Sequence, residues 1–470
     1  VSLVGAIARK DALEFLRDRR LLVAAVLVAL LALAAIGLAA QTVVAYERDR
    51  TAAETLDRTT WLNQGPRNPH GAAHFSSWAF RPLSPLSLLE PGVTPYAGSA
   101  IWMEAHAQDP AAARAAEDRA GALDLGNFSL AWLLQTLAPL LIALFAVGLV
   151  ARERERDTLK LMLASGARPE QLARAKAAAL VQLSAVVVVP LLTVGAAAVL
   201  LAPQPLSGDQ WIQLALWLAA HLIFLGLVAV LATAIALRIR RVDRAMLAIV
   251  GLWLVAIPLS PRLAGVAADA FAPLPSARAF WAEVTAELRG SGHERDKALE
   301  AATLKKYGVS RLEDLPVSYE GIQLDASERH GDEVFDRLYG KLHAQEDRQR
   351  WIMRAASVVS PLVAIQNLSA GLAGTDTAHQ RNFAAQAEAH RRKTVAQLNA
   401  DMIQNAGKAG FDYEADPSLW EKVPSFAYRP PSWTSLAGAW LPDAAILGAW
   451  LIAALIALRA AGRGLAREEI

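Results

Sequence analysis

The groups best suited to do chemistry lie in one short region. In the run NPHGAAHFSSW, His70 and His74 are four residues apart, which on a helix puts both imidazoles on one face, and the later EAH supplies Glu104 and His106. Such a set could ligate a divalent metal. A zinc protease, however, places a glutamate directly after the first histidine, and here that position is Gly71. Pro69 and Gly71 also favour a turn. The expectation for His70, His74, Glu104 and His106 is therefore structural hydrogen bonding, with no metal and no role assigned. Two further polar groups, Gln135 and His221, lie inside long apolar runs, where a polar side chain is costly and defaults to a functional reading. With no second ionisable group at that depth in the sequence, a hydrogen bond between neighbouring helices is favoured over a proton relay.

The elements that carry these groups follow from composition. The chain has 470 residues, 54% of them hydrophobic and 20% charged, and a net charge of +2. That is too apolar for a soluble protein and too charged for one confined to a bilayer, so membrane spans must be joined to sizeable aqueous parts. No cysteine is present, which excludes disulfides, thiolate metal sites and a cysteine nucleophile. The near balance of charge gives no global basic field, so no nucleic-acid partner is expected.

An apolar helix needs about 20 residues to cross the hydrocarbon core. Six runs approach that length: residues 21–44, 128–150, 177–202, 211–237, 245–259 and 436–458. The fifth meets Pro258, Pro261 and Arg262 early and is expected to be short. The first lacks a small-residue cleavage site and reads as a retained anchor. Basic residues crowd residues 1–20, the connection 151–176 and the stretch Arg238–Arg244, while the connection PQPLSGD has none. Both termini, including the tail 459–470, are therefore expected on the cytoplasmic side, and segments 45–127 and 260–435 on the other. The fold class expected is an all-α membrane protein of six spans, with a mainly helical extracytoplasmic domain inserted between spans 1 and 2 and between spans 5 and 6.

Within 260–435 two apolar stripes recur at helical spacing, Val334, Phe335, Leu338, Tyr339 and Leu342, then Phe383, Ala387, Val395, Leu398 and Met402. They are expected to pack on each other as a hairpin. The apolar connection WIMRAASVVSPLVAIQNLSAGLAG between them should touch membrane, spans or a partner subunit. Residues 309–324 are expected to add a short strand.

The first twenty residues form an amphipathic interfacial helix, with Leu3, Val4, Ile7, Ala8, Ala12, Phe15 and Leu16 on one side and Lys10, Asp11, Glu14 and Arg17 on the other. Arg9, Lys10 and Phe15 are its candidate interface residues. The second connection, ARERERDTLKLMLASGARPEQLARAK, starts as alternating charge and then turns at Gly166 and Pro169. A charged helix with a few apolar knobs that turns sharply back is shaped to be gripped from the cytosol.

This order of parts resembles the permeases of ABC exporters of the type-2 class, with an interfacial helix, six spans and a coupling segment of the form E-x-x-x-G-T-L followed by a glycine turn and a lysine. The matching residues are Glu153, Thr158, Leu159, Leu163, Gly166 and Lys176, and Glu155 belongs to the same charged run. Asp157 stands where the family usually has glycine, although aspartate also suits a cap or a first turn. Phrases such as NPHGAAHF, FRPLSPLSLLEPGV and SPLVAIQNLSAGLAGTD are similar to a bacterial branch carrying a large extracytoplasmic domain of unknown function. The resemblance implies a multi-pass subunit of the bacterial inner membrane that works with two copies of a cytosolic ABC ATPase, which hold ATP and Mg²⁺. It also implies a second permease copy or paralogue, and the exterior mass suits a periplasmic or outer-membrane partner. The chain has no G-x-x-x-x-G-K-S/T phosphate loop, so it is expected to carry no cofactor and no ATPase activity of its own. The alternatives are a mechanotransmission subunit that moves an envelope partner without passing substrate, and a membrane-anchored metal-dependent hydrolase.

Overall fold

The computed structural model describes residues 2–17, 19–74, 77–114, 128–290 and 292–468. Helix dominates, and the named strands among the described residues are β1 (Trp78–Phe80) and β2 (Ala100–Trp102), paired antiparallel with Ala79 opposite Ile101. After α1 (Leu3–Leu16), six helices are long and apolar enough to cross a membrane. They are α2 (Arg19–Leu62), α4 (Leu130–Glu155), α6 (Pro169–Leu200), α7 (Gly208–Arg238), α8 (Val242–Phe271) and α14 (Ala437–Glu468). The short α3 (Pro69–His74) follows α2.

The centre of the bundle is α7. It starts with a capping box in which Ser207 Oγ accepts from Gln210 N and Gln210 Oε1 accepts from Ser207 N. Its buried Trp217, Phe224, Leu227 and Ala229 pack among α4, α6 and α14. In contrast, only 11% of the most apolar window of α8 is buried, and Leu247, Val266 and Phe271 lie bare.

Two spans depart from the lengths expected. The fifth does not stop near residue 259 but continues to Phe271 through a π turn, Val255–Leu259. Ser260 N bonds Val255 O there, and Pro261 has no N–H, so Ala256 O loses its helical donor. The hydroxyl of Ser360 supplies the replacement at 2.7 Å. A matching π turn, Leu133–Leu137, precedes Pro139 in α4, and Trp253 Nε1 donates to Thr136 O within it. The first span also continues past residue 44, because YERDRTAAETLDRTT holds good helix formers and the spaced ion pairs of Arg50 with Glu47 and Glu54. Hydropathy marks where a helix stops being apolar, not where it ends.

The polar body is built from the distal part of α2, residues 63–114 and four further helices, α9 (Ala277–Arg289), α10 (Gly292–Tyr307), α11 (Tyr319–Ala355) and α13 (Thr377–Asn405), with the apolar α12 (Pro361–Ala373) between the last two. Helices α11 and α13 do form a hairpin, but their apolar stripes do not meet as expected. Val334, Phe335 and Leu338 pack on Phe280 and Val284 of α9, whereas Phe383 and Ala387 pack on Ala79, Ile101 and Met103 of the β ribbon. The facing sides of the hairpin are zipped instead by charge, with Arg391 and Arg392 paired to Asp332 and Glu388, and Arg392 also to Asp336. Residues 309–324 hold a one-turn 3₁₀ helix, Leu312–Asp314, and the start of α11 in place of the expected strand. The apolar helix α12 packs against α7 and α14 and joins the core of the bundle, which removes most of its surface from solvent.

Candidate functional site

At one end of the bundle α1 lies along α6, with Ile7, Ala8, Ala12 and Phe15 inward. Asp11, expected on the polar side, is also inward and only 2% exposed. The reason is Lys176, 0% exposed in the second turn of α6, whose Nζ lies 2.7 Å from Asp11 Oδ2 and is also ion-paired with Glu153 Oε2 near the end of α4. Lys10 Nζ closes the ring at 3.3 Å from Glu153 Oε1. Three elements are thus joined by one buried ion cluster, and such a cluster tolerates little relative motion. Next to it, the Phe15 ring meets Phe145 edge to face, and the Arg152 guanidinium sits 4.4 Å from the centre of the Phe15 ring.

From this cluster the chain runs out to α5 (Thr158–Ala164) and back. Arg154 reaches the carbonyls of Leu237 at 2.6 Å and Ile239 at 2.7 Å and so closes the end of α7. Asp157 then takes φ +52° and ψ +13°, the left-handed conformation, and its side chain makes no capping bond. The aspartate stands at the N-cap position of α5 without capping it by its side chain, in a backbone conformation for which glycine is the natural residue. Thr158 Oγ1 donates to Glu153 O at 3.2 Å, and Gly166, at φ +91°, makes the return turn. We expect Asp157→Gly to stabilise the chain by about 0.5–1 kcal/mol. Equilibrium unfolding in detergent would measure it, and a destabilised variant would contradict this account of the turn.

The expected coupling residues differ in exposure. Glu153, Leu159, Leu163 and Lys176 are buried within the chain, and Thr158 is half-buried. Glu155, Asp157 and Gly166 are exposed, together with Arg156, Lys160 and Leu161, which were not singled out in the sequence. Leu161 is 65% exposed at the tip of α5 and is the apolar knob of this surface. Of the α1 residues, Phe15 is buried, Arg9 is exposed and Lys10 faces Glu153.

Deeper in the bundle, Gln135 and His221 do bond each other, through Gln135 Nε2 and His221 Nε2 at 3.2 Å. His221 Nδ1 lies 2.9 Å from Trp217 O, so the proton is on Nδ1 and Nε2 accepts from the amide. The partner that sequence reasoning missed is Glu90, carried in from residues 63–114 by the 3₁₀ turn Pro85–Leu88. Its carboxylate accepts from Ser369 Oγ at 2.7 Å, Gln135 Nε2 at 3.3 Å and Gly92 N at 3.1 Å. Burial raises the Glu90 carboxyl above the usual carboxylate range. Nothing local marks Glu90, because the run around it reads as a turn-rich loop.

In the polar body, α3 is a helix where a turn was expected. Proline is tolerated at N1, and Asn68 Oδ1 accepts from His70 N at 2.9 Å. His70 and His74 therefore do share a face, and β2 brings His106 and Glu104 to it. The three ring centroids lie 4.6, 4.9 and 4.8 Å apart. His74 Nδ1 is 3.0 Å from Glu104 Oε1, and Glu104 Oε2 accepts from His106 N at 2.7 Å. Glu328 of α11, which sequence spacing could not indicate, closes the floor, with Oε1 3.5 Å from His106 Nδ1 and Asn399 on its other oxygen. Burial pushes the Glu328 carboxyl up to about 7 and, with the neighbouring imidazoles, pushes His70 down to about 4.

Comparison with known proteins separates the chain in the same way. Residues 110–257 match the family model described as ABC-2 family transporter protein, and residues 277–429 match that of a domain of unknown function, DUF3526. No curated protein and no solved structure matches the chain.

Proposed function

We propose that this chain, an ABC-2 type permease with an added DUF3526 domain, is the half-pore of an ATP-driven exporter whose motor is a separate cytosolic ATPase. The single observation that carries the reading is the buried Asp11–Lys176–Glu153 cluster. It makes the exposed α5 turn, the interfacial helix and the starts and ends of two spans into one lever. ATP and Mg²⁺ belong to the motor, two copies of which would grip two permeases below a shared pore. The arginines at the α5 end favour a cytosolic side for that end and for both termini, in our reading across a bacterial inner membrane. The DUF3526 body and residues 63–114 then lie outside. The motor shifts the spans only by fitting one arrangement better than the other. The bare flank of α8 would meet lipid or the second copy.

The surface a motor would touch is Glu155, Arg156, Lys160 and Leu161, so a charge reversal at Lys160 with Leu161→Asp should remove at least ~10-fold of the stimulated ATP hydrolysis, equivalent to about 1.4 kcal/mol of coupling. The measurement is hydrolysis by the copurified complex in nanodiscs, with the variant's fold checked by size exclusion. Unchanged stimulation, or purification with no ATPase attached, would overturn the assignment. Mechanotransmission is the second reading, and the observation in its favour is the buried pair Arg354–Asp443, which fixes the polar body to the last span. A permease that releases no substrate yet moves the body on ATP binding would establish it.

A further inference from the structure

We propose that His70, His74 and His106 form a binding site for one divalent transition-metal ion of the zinc class. One ring nitrogen from each histidine lies within 4.8 Å of the others, and the Nε2 atoms of His70 and His74 are 3.2 Å apart. Two nitrogens bound to one tetrahedral zinc at about 2.0–2.1 Å stand about 3.3 Å from each other, so this pair already has the spacing of two ligands. His106, its side chain 45% exposed, closes the third side of the triangle.

Proton accounting favours a metal over a bond between the rings. His74 Nδ1 faces Glu104, which accepts and does not donate, so the His74 proton is on Nδ1 and its Nε2 carries a lone pair. A bond across the 3.2 Å gap would then need the proton of His70 on Nε2. That leaves His70 Nδ1 as a lone pair facing Glu328 Oε1 at 4.0 Å, and both atoms are buried without a hydrogen-bond partner. A cation at the Nε2 side reverses this. It accepts both Nε2 lone pairs, leaves His70 with its proton on Nδ1, and aims that proton at the unpartnered carboxylate oxygen. Glu104 and Glu328 become the carboxylates that orient ligating imidazoles, the usual outer partners of histidine ligands. Imidazole donors select zinc, copper or nickel over calcium or magnesium. The fourth position opens to solvent on the exposed side of His74 and His106.

The test uses the full-length, tag-free chain in detergent, stripped with EDTA and titrated with Co²⁺ and then Zn²⁺. One equivalent of Co²⁺ should give a visible d–d band that one equivalent of Zn²⁺ abolishes. The double variant His74→Ala/His106→Ala should lose the band, Glu104→Gln should weaken affinity about 10- to 100-fold, and His343→Ala should change nothing. No band from the wild-type chain at one equivalent overturns the site, as does a band that survives in the double variant. Should the double variant misfold, the wild-type titration and the conservative Glu104→Gln still decide.

Discussion

Lys176→Met should be among the most damaging single substitutions in the membrane domain. The side chain is fully buried and its ammonium is shared by Asp11 and Glu153, so its loss leaves two carboxylates facing each other away from water. Breaking a buried pair by removing one partner costs about 3–5 kcal/mol, because the remaining charge has nowhere to go. Lys10 cannot replace it: its Nζ is 3.5 Å from Asp11 Oδ1, but its side chain is 48% exposed and already serves Glu153 from the water side. The triple variant Asp11→Asn, Glu153→Gln, Lys176→Met keeps the shapes and removes the three buried charges, leaving the exposed Lys10 to solvent and Glu14, and should recover most of the stability. Its coupling should not recover, since three neutral groups hold the lever less tightly than one shared cation. Unfolding in detergent measures the first effect and stimulated ATP hydrolysis the second. A triple variant no more stable than Lys176→Met would mean that the carboxylates do not depend on this lysine.

How far this architecture was legible follows from the range over which each signal acts. The six spans could be read because each is a continuous apolar run, a property of neighbours in sequence. The exposed α5 turn could be read for the same reason, but Asp157 in place of the family's glycine reads in sequence as suited to a cap or first turn, and only the dihedral angles show it to be left-handed. Asp11 could not be placed. Its polarity groups it with Lys10 and Glu14, although it stands four residues from both Ile7 and Phe15 on the apolar side, and its burial there is matched by a lysine 165 residues later. Glu90 and Glu328 are of the same kind, since each becomes a site residue through a partner supplied by a distant helix. His70 and His74 announced a shared face by spacing, yet Pro69 and Gly71 argued against the helix that creates it. The local rule failed because proline at N1 favours the start of a helix as readily as it marks a turn. The two hairpin stripes were real, but sequence periodicity identifies an apolar face without identifying what covers it.

At the other end of the bundle, Arg354→Ala is expected to cost about 3–5 kcal/mol by the same reasoning, now at the junction of the polar body with the last span. Arg354 ends α11, 6% exposed, and its Nη2 lies 2.8 Å from Asp443 Oδ2, with Nε 3.2 Å from both carboxylate oxygens. Asp443 is fully buried one turn into α14, where Asn367 of α12 donates to its Oδ1 at 3.2 Å. Arg354 Nη2 also donates to Ala439 O in the first turn of α14. Removing the guanidinium therefore strips a charge partner and a backbone donor at once. Hydrogen exchange should rise first across residues 437–447 and only later in α7, whose own core does not touch the pair. The double variant Arg354→Met/Asp443→Leu should return stability to near the wild-type level, because hydrophobic side chains of similar reach replace a buried ion pair at little or no loss. That double variant is also the informative one for mechanism. If the polar body must follow the last span during each ATP cycle, a complex with a stable chain that lacks the charged clamp should still hydrolyse ATP on its motor and fail in the work done outside. A double variant that works outside as well as the wild type would shift the mechanical link to the remaining joints, among them α12 packed against α7 and the continuous helix α2.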